Sequence, residues 1–518
     1  MTDFPWLTLI AAVPLVGSVV VAAVPRGRDQ LAKVLALLFS CASLLLTIAL
    51  ATQFDPDDAG QAGQQGLQFI EQHDWIPAFG VHYAVGIDGI SLVLIALTAV
   101  LTPVVILSSW NDVDTATAKR SVQTYFALLL VLEALVIGVF AATDVFLFYV
   151  LFEAMLIPMY FLIGSYGGPQ RSYAAVKFLL YSLLGGLLML AAVIGLFVTS
   201  ARAGEGTFLF ADLVALDIDP TTQKWLFAGF FFAFAVKAPL WPFHTWLPDA
   251  AAESTPGGAV LLVGVLDKVG TFGMIRLCLP LFPDASRFFA PLVIALCVIG
   301  IIYGALLAIG QTDMKRLIAY TSISHFGFIG LGIFAMTTQG QSGSTLYMVN
   351  HGFSTGALFI IAGFLISRRG SRLIDDYGGV QKVAPVLAGT FLVAGLSSLS
   401  LPGLSSFVSE FLVLVGTFTR YRAAAVVAAL GIILAAVYIL WFYQRTMNGP
   451  LKAGSEVVTD LRGREVLAIA PLLALIIVLG VFPQPVLDVI NPSVERTMGH
   501  VDQTDPEPPI NVAERTGE

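Results

Sequence analysis

Apolar residues along this chain are gathered into runs of about 20, separated by short polar segments. Because a helix rises about 1.5 Å per residue, such a run crosses the roughly 30 Å hydrocarbon core of a bilayer. The pattern predicts an all-α, polytopic membrane bundle of about 14 transmembrane helices. The predicted spans, numbered 1 to 14, cover residues 5–24, 31–51, 89–109, 121–141, 143–164, 174–199, 225–247, 258–279, 288–310, 317–336, 345–367, 385–417, 423–443 and 465–483.

The prolines of spans 7 and 12 predict breaks in these two helices. Pro239 and Pro242 interrupt span 7, and Pro402 interrupts span 12, which is too long for one straight helix. Proline lacks an N–H group and breaks a helix, so we expect helices 7 and 12 to be discontinuous. The missing donors should leave the carbonyls of Ala235 and Ser398 open to water or to side chains. The alternative is that these prolines only kink the helices for packing.

The positions of the broken helices indicate an internal repeat. Spans 4–8 and spans 9–13 are sets of five, and the broken helix is the fourth member of each. Because five is odd, the second set enters the membrane from the opposite side, an arrangement typical of transporters. We therefore expect an N-terminal section (1–120) with an outward loop, two inverted five-helix repeats (121–280 and 281–444), and a last section with helix 14 and a polar outward tail (445–518).

Composition supports membrane insertion and argues against redox chemistry in this chain. The residues are 57% apolar and 12% charged, against about 45–50% and about 25% in soluble domains. The three cysteines form no CxxC or iron–sulfur spacing, so we expect no redox cofactor here. No histidine–carboxylate set has the spacing of metal ligands, so we expect no metal site.

Basic residues are distributed unequally between the two sides of the predicted bundle. The loops on one side hold 17 Lys and Arg residues, and those on the other side hold 8. The positive-inside rule makes the basic side cytoplasmic, which places both termini outward. The tail after about Pro485 is polar, and we expect it to be mobile or to lie on a partner.

Ionisable residues near the middle of the spans are the candidate chemistry, because a charge there costs about 2.5–3.5 kcal/mol on insertion scales. They are Glu133, Glu153, Lys237, Lys268, His325 and Glu410. His351 lies near one end of span 11, where it either joins them or only caps a helix. The set indicates either a path for protons or structural ion pairs. Lysine and carboxylate suit proton transfer, whereas arginine, absent from the span centres, scarcely releases its proton.

Four long motifs then point to a known family: FAFAVKAPLWPFHTWLPDA, LLVGVLDKVGTFGMIRL, LPGLSSFVSEFLVLVGTF and DVFLFYVLFEAMLIPMYFLIG. They resemble the antiporter-like, proton-pumping membrane subunits of respiratory complex I. The last motif looks most like the M type (chain 4 type) of these subunits. The resemblance covers nearly the whole chain. One departure is Ala251, which stands where the family commonly has a histidine.

The resemblance implies roles for the mid-span residues. Glu153 would pair with Lys237, and Lys268 would be the connecting residue of span 8. His325 would be a central relay, Glu410 would be the terminal residue of the broken span 12, and Glu133 matches an acidic position of span 4. The implied function is proton translocation in an energy-converting NADH:quinone oxidoreductase. Its driving force would come from partner subunits that carry flavin, iron–sulfur clusters and quinone.

The resemblance also implies partners and a location. We expect related L-type and N-type antiporter-like chains beside this one, in a bacterial plasma membrane, and no nucleic acid. Two alternatives stay open. The chain is either a subunit of a multi-subunit Na⁺(K⁺)/H⁺ antiporter, or a passive anchor whose charges serve assembly alone.

Overall fold

The computed structural model of the chain describes residues 4–58, 66–113 and 120–507. Within these ranges, twelve helical segments are long and apolar enough to cross a membrane. They correspond to spans 1–6, 8–11, 13 and 14: Trp6–Ala23, Asp29–Ala51, Gly89–Asn111, Val122–Ala141, Val145–Tyr166, Arg171–Ala203, Pro256–Leu281, Pro283–Ile309, Met314–Phe334, Thr338–Arg369, Arg422–Met447 and Gly463–Val481.

Spans 7 and 12 are each built from two half-helices, as the prolines predicted. Span 7 consists of Pro220–Lys237 and Trp246–Glu253, and span 12 of Pro385–Ser398 and Ser405–Arg420. Twelve long segments and two broken ones make the fourteen predicted crossings. Span 6 packs against span 7, and span 11 packs in the same way against span 12. The predicted bundle, with a broken helix fourth in each set of five, is confirmed.

Two further spans are helical but irregular, and both carry candidate residues. Span 5 is interrupted at Met155, because Pro158 has no N–H group to donate to the carbonyl of Ala154. Span 8 contains two π-helical turns, at Leu262–Leu266 and Met274–Cys278. The sequence prediction missed the break in span 5 and the π-turns.

The centre of the bundle is formed by spans 8, 10 and 11, which are almost wholly buried. Spans 1, 2, 13 and 14 lie at the periphery, where only about a third of their residues are buried. Polar and ionisable side chains on the central spans are therefore shielded from lipid by the surrounding helices, which is where such side chains can be tolerated.

The loop between spans 2 and 3 contains strand β1 (Gln68–Ile76) and strand β2 (Val81–Ile87), paired antiparallel. Gly80 closes the turn with a φ of +61°, which suits glycine. The carboxylate of Glu71 accepts a hydrogen bond from the amide of Leu7 over 2.8 Å and so caps the first turn of span 1. The all-α prediction therefore holds for the spans but overlooked this hairpin.

The segment after span 14 continues as a helix, Gln484–His500, which packs against spans 3 and 11. The hydroxyl of Ser493 accepts a hydrogen bond from the amide of Gly89 over 3.0 Å. The prediction of a mobile or partner-bound tail after Pro485 is therefore wrong for this helix, whose apolar face lies on the chain's own spans. The part of that prediction on residues 508–518 lies outside the described residues.

Candidate functional site

The carboxylate of Glu153 in span 5 and the ammonium group of Lys237 in span 7 interact electrostatically. Neither Oε1 of Glu153 nor Nζ of Lys237 has a hydrogen-bond partner among the described residues. Lys237 is buried, and its Nζ lies 4.9 Å and 5.6 Å from the ring centroids of Phe152 and Phe178. Aromatic faces attract a cation without accepting its proton. The lysine is thus held without a fixed acceptor.

Two glycines of span 6 make room for this pair. A Cβ atom on Gly186 would lie 1.7 Å from Oε1 of Glu153, so the carboxylate occupies the space that a side chain would need. A Cβ atom on Gly185 would lie 3.1 Å from Cα of Ala233 in span 7. Span 6 therefore brings spans 5 and 7 together by the absence of side chains at these two positions.

Span 7 breaks directly after Lys237, the last residue of its first half-helix. We predicted that the prolines would leave the carbonyl of Ala235 open, and this is wrong, because the amide of Leu240 donates to it over 2.9 Å. The indole N–H of Trp246, in the second half-helix, donates to the carbonyl of Val236 over 2.9 Å. At these two carbonyls the break is closed by groups of the protein itself.

Lys268 follows the first π-helical turn of span 8. In that turn the amide of Asp267 donates to the carbonyl of Leu262 over 3.1 Å, five residues back, instead of to Val263. The carbonyl of Val263 is thereby released and accepts a hydrogen bond from Nζ of Lys268 over 2.5 Å. Single π-turns within helices are frequent at functional sites. Here the turn supplies a backbone acceptor for a buried lysine.

The second contact of Lys268 joins span 8 to span 11. Its Nζ lies 2.7 Å from Nδ1 of His351. The two spans approach closely because Gly264 and Gly352 face each other, and a Cβ atom on Gly352 would lie 3.0 Å from the carbonyl oxygen of Gly264. The placement of His351 near a span end was wrong, since the helix begins at Thr338 and puts this histidine near its middle.

His325 of span 10 lies beside His351 and close to two tyrosines, Tyr347 and Tyr438. The ring centroids of the two histidines are 5.3 Å apart, and that of Tyr347 lies 5.7 Å from His325. Nε2 of His325 is 3.5 Å from the hydroxyl of Tyr438. All four side chains are buried. Both histidine rings therefore have titratable or hydroxyl groups as close neighbours.

Glu410 lies in the second half-helix of span 12, next to Tyr347, and is the last of these neighbouring groups. Its Oε2 accepts hydrogen bonds from the hydroxyl of Tyr347, over 3.2 Å, and from the hydroxyl of Ser400. Ser400 lies in the break just before Pro402, with a φ of +61°, a conformation that residues other than glycine rarely adopt. The broken helix thus directs a hydroxyl group at the glutamate.

We call the following residues the central series: Glu153, Lys237, Asp267, Lys268, His351, His325, Tyr347 and Glu410. Asp267 is included because its buried carboxylate interacts electrostatically with Lys237 and Lys268. Sequence reasoning missed Asp267, although its signal is the same as that of Lys268, a charged residue in the middle of an apolar span. It also missed Tyr347, for which one sequence offers no signal.

Glu133 does not share the contacts of this series. It is buried in span 4, and neither carboxylate oxygen has a hydrogen-bond partner among the described residues. Its carboxyl group interacts electrostatically with the thiol of Cys41 in span 2. It therefore lies toward the peripheral spans, apart from the six other predicted residues.

Candidate metal ligands are scattered. Within residues 4–58, 66–113 and 120–507, no group of three or more His, Cys, Asp or Glu residues is placed to hold a metal ion. The three cysteines are free thiols on separate spans. What the site offers is a row of groups that gain or lose a proton.

A cavity of about 300 Å³ opens at the end of span 3, lined in part by Arg368 of span 11 and by Arg464 and Glu465 of span 14. Asp112 is part of this wall. Burial raises its pKa to about 6, although the positive charges of Lys315 and Arg464 lower it. One carboxyl group at this end of the bundle therefore titrates close to neutrality.

This chain is similar to known proteins over most of its length. Residues 142–435 match a family model described as NADH:quinone oxidoreductase/Mrp antiporter, transmembrane region. Residues 66–139 match the amino terminus of NADH-ubiquinone oxidoreductase chain 4. Over 98% of its length, the chain is 56% identical to NADH-quinone oxidoreductase subunit M of Mycobacterium tuberculosis and covers 97% of that protein.

Solved structures of other membrane complexes share this fold. A chain of respiratory complex I from Thermus thermophilus with bound NADH superimposes with a TM-score of 0.85 at 32% identity, covering 96% of this chain and 99% of that one. A chain of the Mrp complex from Dietzia sp. DQ12-45-1b gives a TM-score of 0.81 at 22% identity, covering 95% of this chain and 52% of that one. The second similarity concerns the fold alone.

Proposed function

The chain belongs to the NADH:quinone oxidoreductase/Mrp antiporter membrane family, and from this premise we propose that it is a proton-translocating, M-type subunit of an NADH:quinone oxidoreductase. One observation carries the proposal. The contact of 2.7 Å between Lys268 and His351 joins the residues of the first repeat to those of the second. A row of titratable groups then extends through one chain from the half-buried Glu153 to Glu410, and those after Glu153 are all buried.

Proton movement along the central series follows from the chemistry of neighbouring groups. A carboxylate that approaches a buried lysine stabilises its ammonium form, and a carboxylate that withdraws favours release of the proton. Glu153 is suited to begin such a change, because it is only half-buried within this chain. A change of charge in a neighbouring subunit would then reach Lys237 through Glu153, and afterwards the lysine and histidines of spans 8, 11 and 10.

The energy for pumping must come from other subunits. Moving one charge against the membrane potential costs about 2.3 kcal/mol per 100 mV. In this proposal flavin, iron–sulfur clusters and quinone are held by partner subunits, and their redox chemistry drives rearrangements of charge. Other membrane subunits of the complex, including related L-type and N-type chains, would transmit those rearrangements along the shared plane of the membrane.

Orientation forms part of the proposal. Basic residues form ion pairs at one end of the bundle, where Arg372 pairs with Glu253 over 2.8 Å and Arg368 pairs with Glu465 over 2.6 Å. The positive-inside rule makes this end cytoplasmic. Both termini then face outward, and we assign the chain to a bacterial plasma membrane.

Inside-out vesicles carrying the whole complex provide the test. NADH oxidation and proton uptake are measured in the same vesicles for Glu153→Gln, Lys237→Met and Lys268→Met. We expect assembled complexes that pump fewer protons per NADH oxidised. Lys382→Met is the matched control, because this lysine is exposed and outside the spans. Unchanged stoichiometry in all three variants would instead support the passive anchor and overturn the proposal.

The antiporter alternative has the shared fold in its favour, with 22% identity to the Mrp chain. It makes a different prediction for the purified complex. Flavin and iron–sulfur subunits should copurify with an NADH:quinone oxidoreductase, whereas an antiporter would exchange Na⁺ or K⁺ for protons without them. Cation-dependent proton exchange in vesicles that lack NADH would favour the alternative.

A further inference from the structure

Asp267 is a buried acidic residue with no fixed partner. Its side chain is fully buried, and neither carboxylate oxygen has a hydrogen-bond partner among the described residues. Burying an isolated carboxylate costs several kcal/mol unless nearby charges offset the loss of water. Such a residue needs a compensating interaction.

The compensation comes from two lysines. The carboxylate of Asp267 interacts electrostatically with the ammonium groups of both Lys237 and Lys268. The carboxylate of Asp267 forms a hydrogen bond with neither lysine. Nζ of Lys237 has no hydrogen-bond partner among the described residues. Nζ of Lys268 contacts His351 of span 11 and donates to the carbonyl of Val263 in its own span. With Glu153 included, two carboxylates and two ammonium groups balance in charge.

The helical backbone of span 8 explains why Asp267 faces span 7 while the next residue, Lys268, faces span 11. Successive helical side chains point about 100° apart, so Asp267 and Lys268 face different neighbours. Span 8 lies directly against the break of span 7, where a Cβ atom on Gly270 would lie 2.6 Å from the carbonyl oxygen of Phe234 and 2.7 Å from the amide of Ala238. Asp267 is thus brought to the side of Lys237, while Lys268 reaches span 11.

We infer that Asp267 carries the proton between Lys237 and Lys268. In the first step an N–H bond of the Lys237 ammonium breaks and an O–H bond forms on the Asp267 carboxylate. In the second step that O–H bond breaks, the neutral amine of Lys268 takes the proton, and Asp267 is again a carboxylate. The inference rests on the proposed function. It adds a titratable carboxyl group to the proton transfer from Lys237 to Lys268, which would otherwise pass directly from one lysine to the other.

The test uses the complete complex in inside-out vesicles. Asp267→Asn keeps the shape and removes the titratable group, and Asp267→Leu removes it with an apolar side chain in case the amide hinders assembly. We expect several-fold fewer protons pumped per NADH in either assembled variant and recovery of most pumping in Asp267→Glu. Asp219→Asn is the control, because this exposed residue caps the first half-helix of span 7 and asparagine caps equally well.

Infrared difference spectra of the energised complex separate proton carriage from a positioning role. A protonated carboxyl band that appears in the native complex and is absent from Asp267→Asn supports the inference. Normal pumping in an assembled Asp267→Asn or Asp267→Leu variant, while Glu153→Gln lowers pumping, overturns the inference alone. Normal pumping in all of these variants overturns the proposed function as well.

Discussion

Nζ of Lys268 lies 2.7 Å from Nδ1 of His351 and 2.5 Å from the carbonyl oxygen of Val263. An ammonium group can donate to both acceptors, provided that Nδ1 of the histidine carries no hydrogen. If the histidine is protonated at Nδ1 instead, the lysine must be the neutral amine. The contact therefore accommodates one proton between two groups, and it joins span 8 to span 11.

Replacing His351 with glutamine should interrupt the series at this contact. Glutamine offers an oxygen acceptor to Lys268 but cannot carry a proton onward, so assembly should survive while the protons pumped per NADH fall at least several-fold. Proton uptake and NADH oxidation in inside-out vesicles measure this ratio. His73→Gln, in the exposed strand β1, is the matched control. A ratio equal to that of the control would remove His351 from the path.

Gly186→Ala should disturb the pair of Glu153 and Lys237 without changing either residue. The new Cβ atom would lie 1.7 Å from Oε1 of Glu153, so the carboxylate must move. Overpacking of this kind costs about 1–3 kcal/mol, and we expect reduced pumping in complexes that still assemble.

The control for this change is Gly389→Ala in the first half-helix of span 12, where no atom lies within 4 Å of the new Cβ atom. Both variants add one methyl group to a helix within the membrane. Equal pumping in the two would show that the position of the Glu153 carboxylate is not critical.

The sequence allowed the spans, the broken helices and most titratable residues to be predicted, because the membrane imposes strong rules. Apolar length predicts a crossing, proline predicts a break, and a charge in mid-span indicates a function. These rules identified Lys237 and Glu410 together with the breaks beside them.

What could not be predicted depends on contacts between spans or on local hydrogen bonding. The donor to the carbonyl of Ala235, the amide of Leu240, is set by how the chain turns after Lys237. The partner of Lys268 is set by a π-turn and by facing glycines, features with no reliable single-sequence signal. The helix after span 14 was not predicted because its composition is polar. Its apolar face nevertheless packs against spans 3 and 11.

Asp112 should make the stability of the chain depend on pH. Its pKa in the folded chain is about 6, against 3.8 when unperturbed. The folded state binds the proton more strongly, so stability falls as pH rises through this window and the buried group becomes charged. Asp112→Asn stays neutral, and its stability relative to the native chain should increase between pH 3.8 and about 6.

The measurement for Asp112→Asn is the temperature at which the detergent-solubilised complex loses this subunit, taken at pH values below, within and above the window. Asp219→Asn is the control, since this carboxylate is exposed and its pKa is lowered. A difference between Asp112→Asn and the native chain that does not change with pH would contradict the prediction.

Arg276 and Asp88 form an ion pair that we expect to serve stability rather than proton transfer. Nη2 of the arginine lies 2.9 Å from Oδ1 of Asp88, which also caps span 3 by accepting from the amide of Ser91 over 2.9 Å. Arg276→Ala leaves a buried carboxylate without its cation, a change that costs about 3–5 kcal/mol. Asp375→Asn breaks the exposed pair with Arg445, worth about 0–1 kcal/mol.

These two variants should therefore differ in stability but not in stoichiometry. The temperature at which the solubilised complex loses this subunit should fall markedly for Arg276→Ala and little for Asp375→Asn. The assembled fraction of each should pump the native number of protons per NADH, because neither pair belongs to the central series. Loss of pumping in stable, assembled Arg276→Ala complexes would instead place this arginine, which lies in the second π-turn of span 8, on the path.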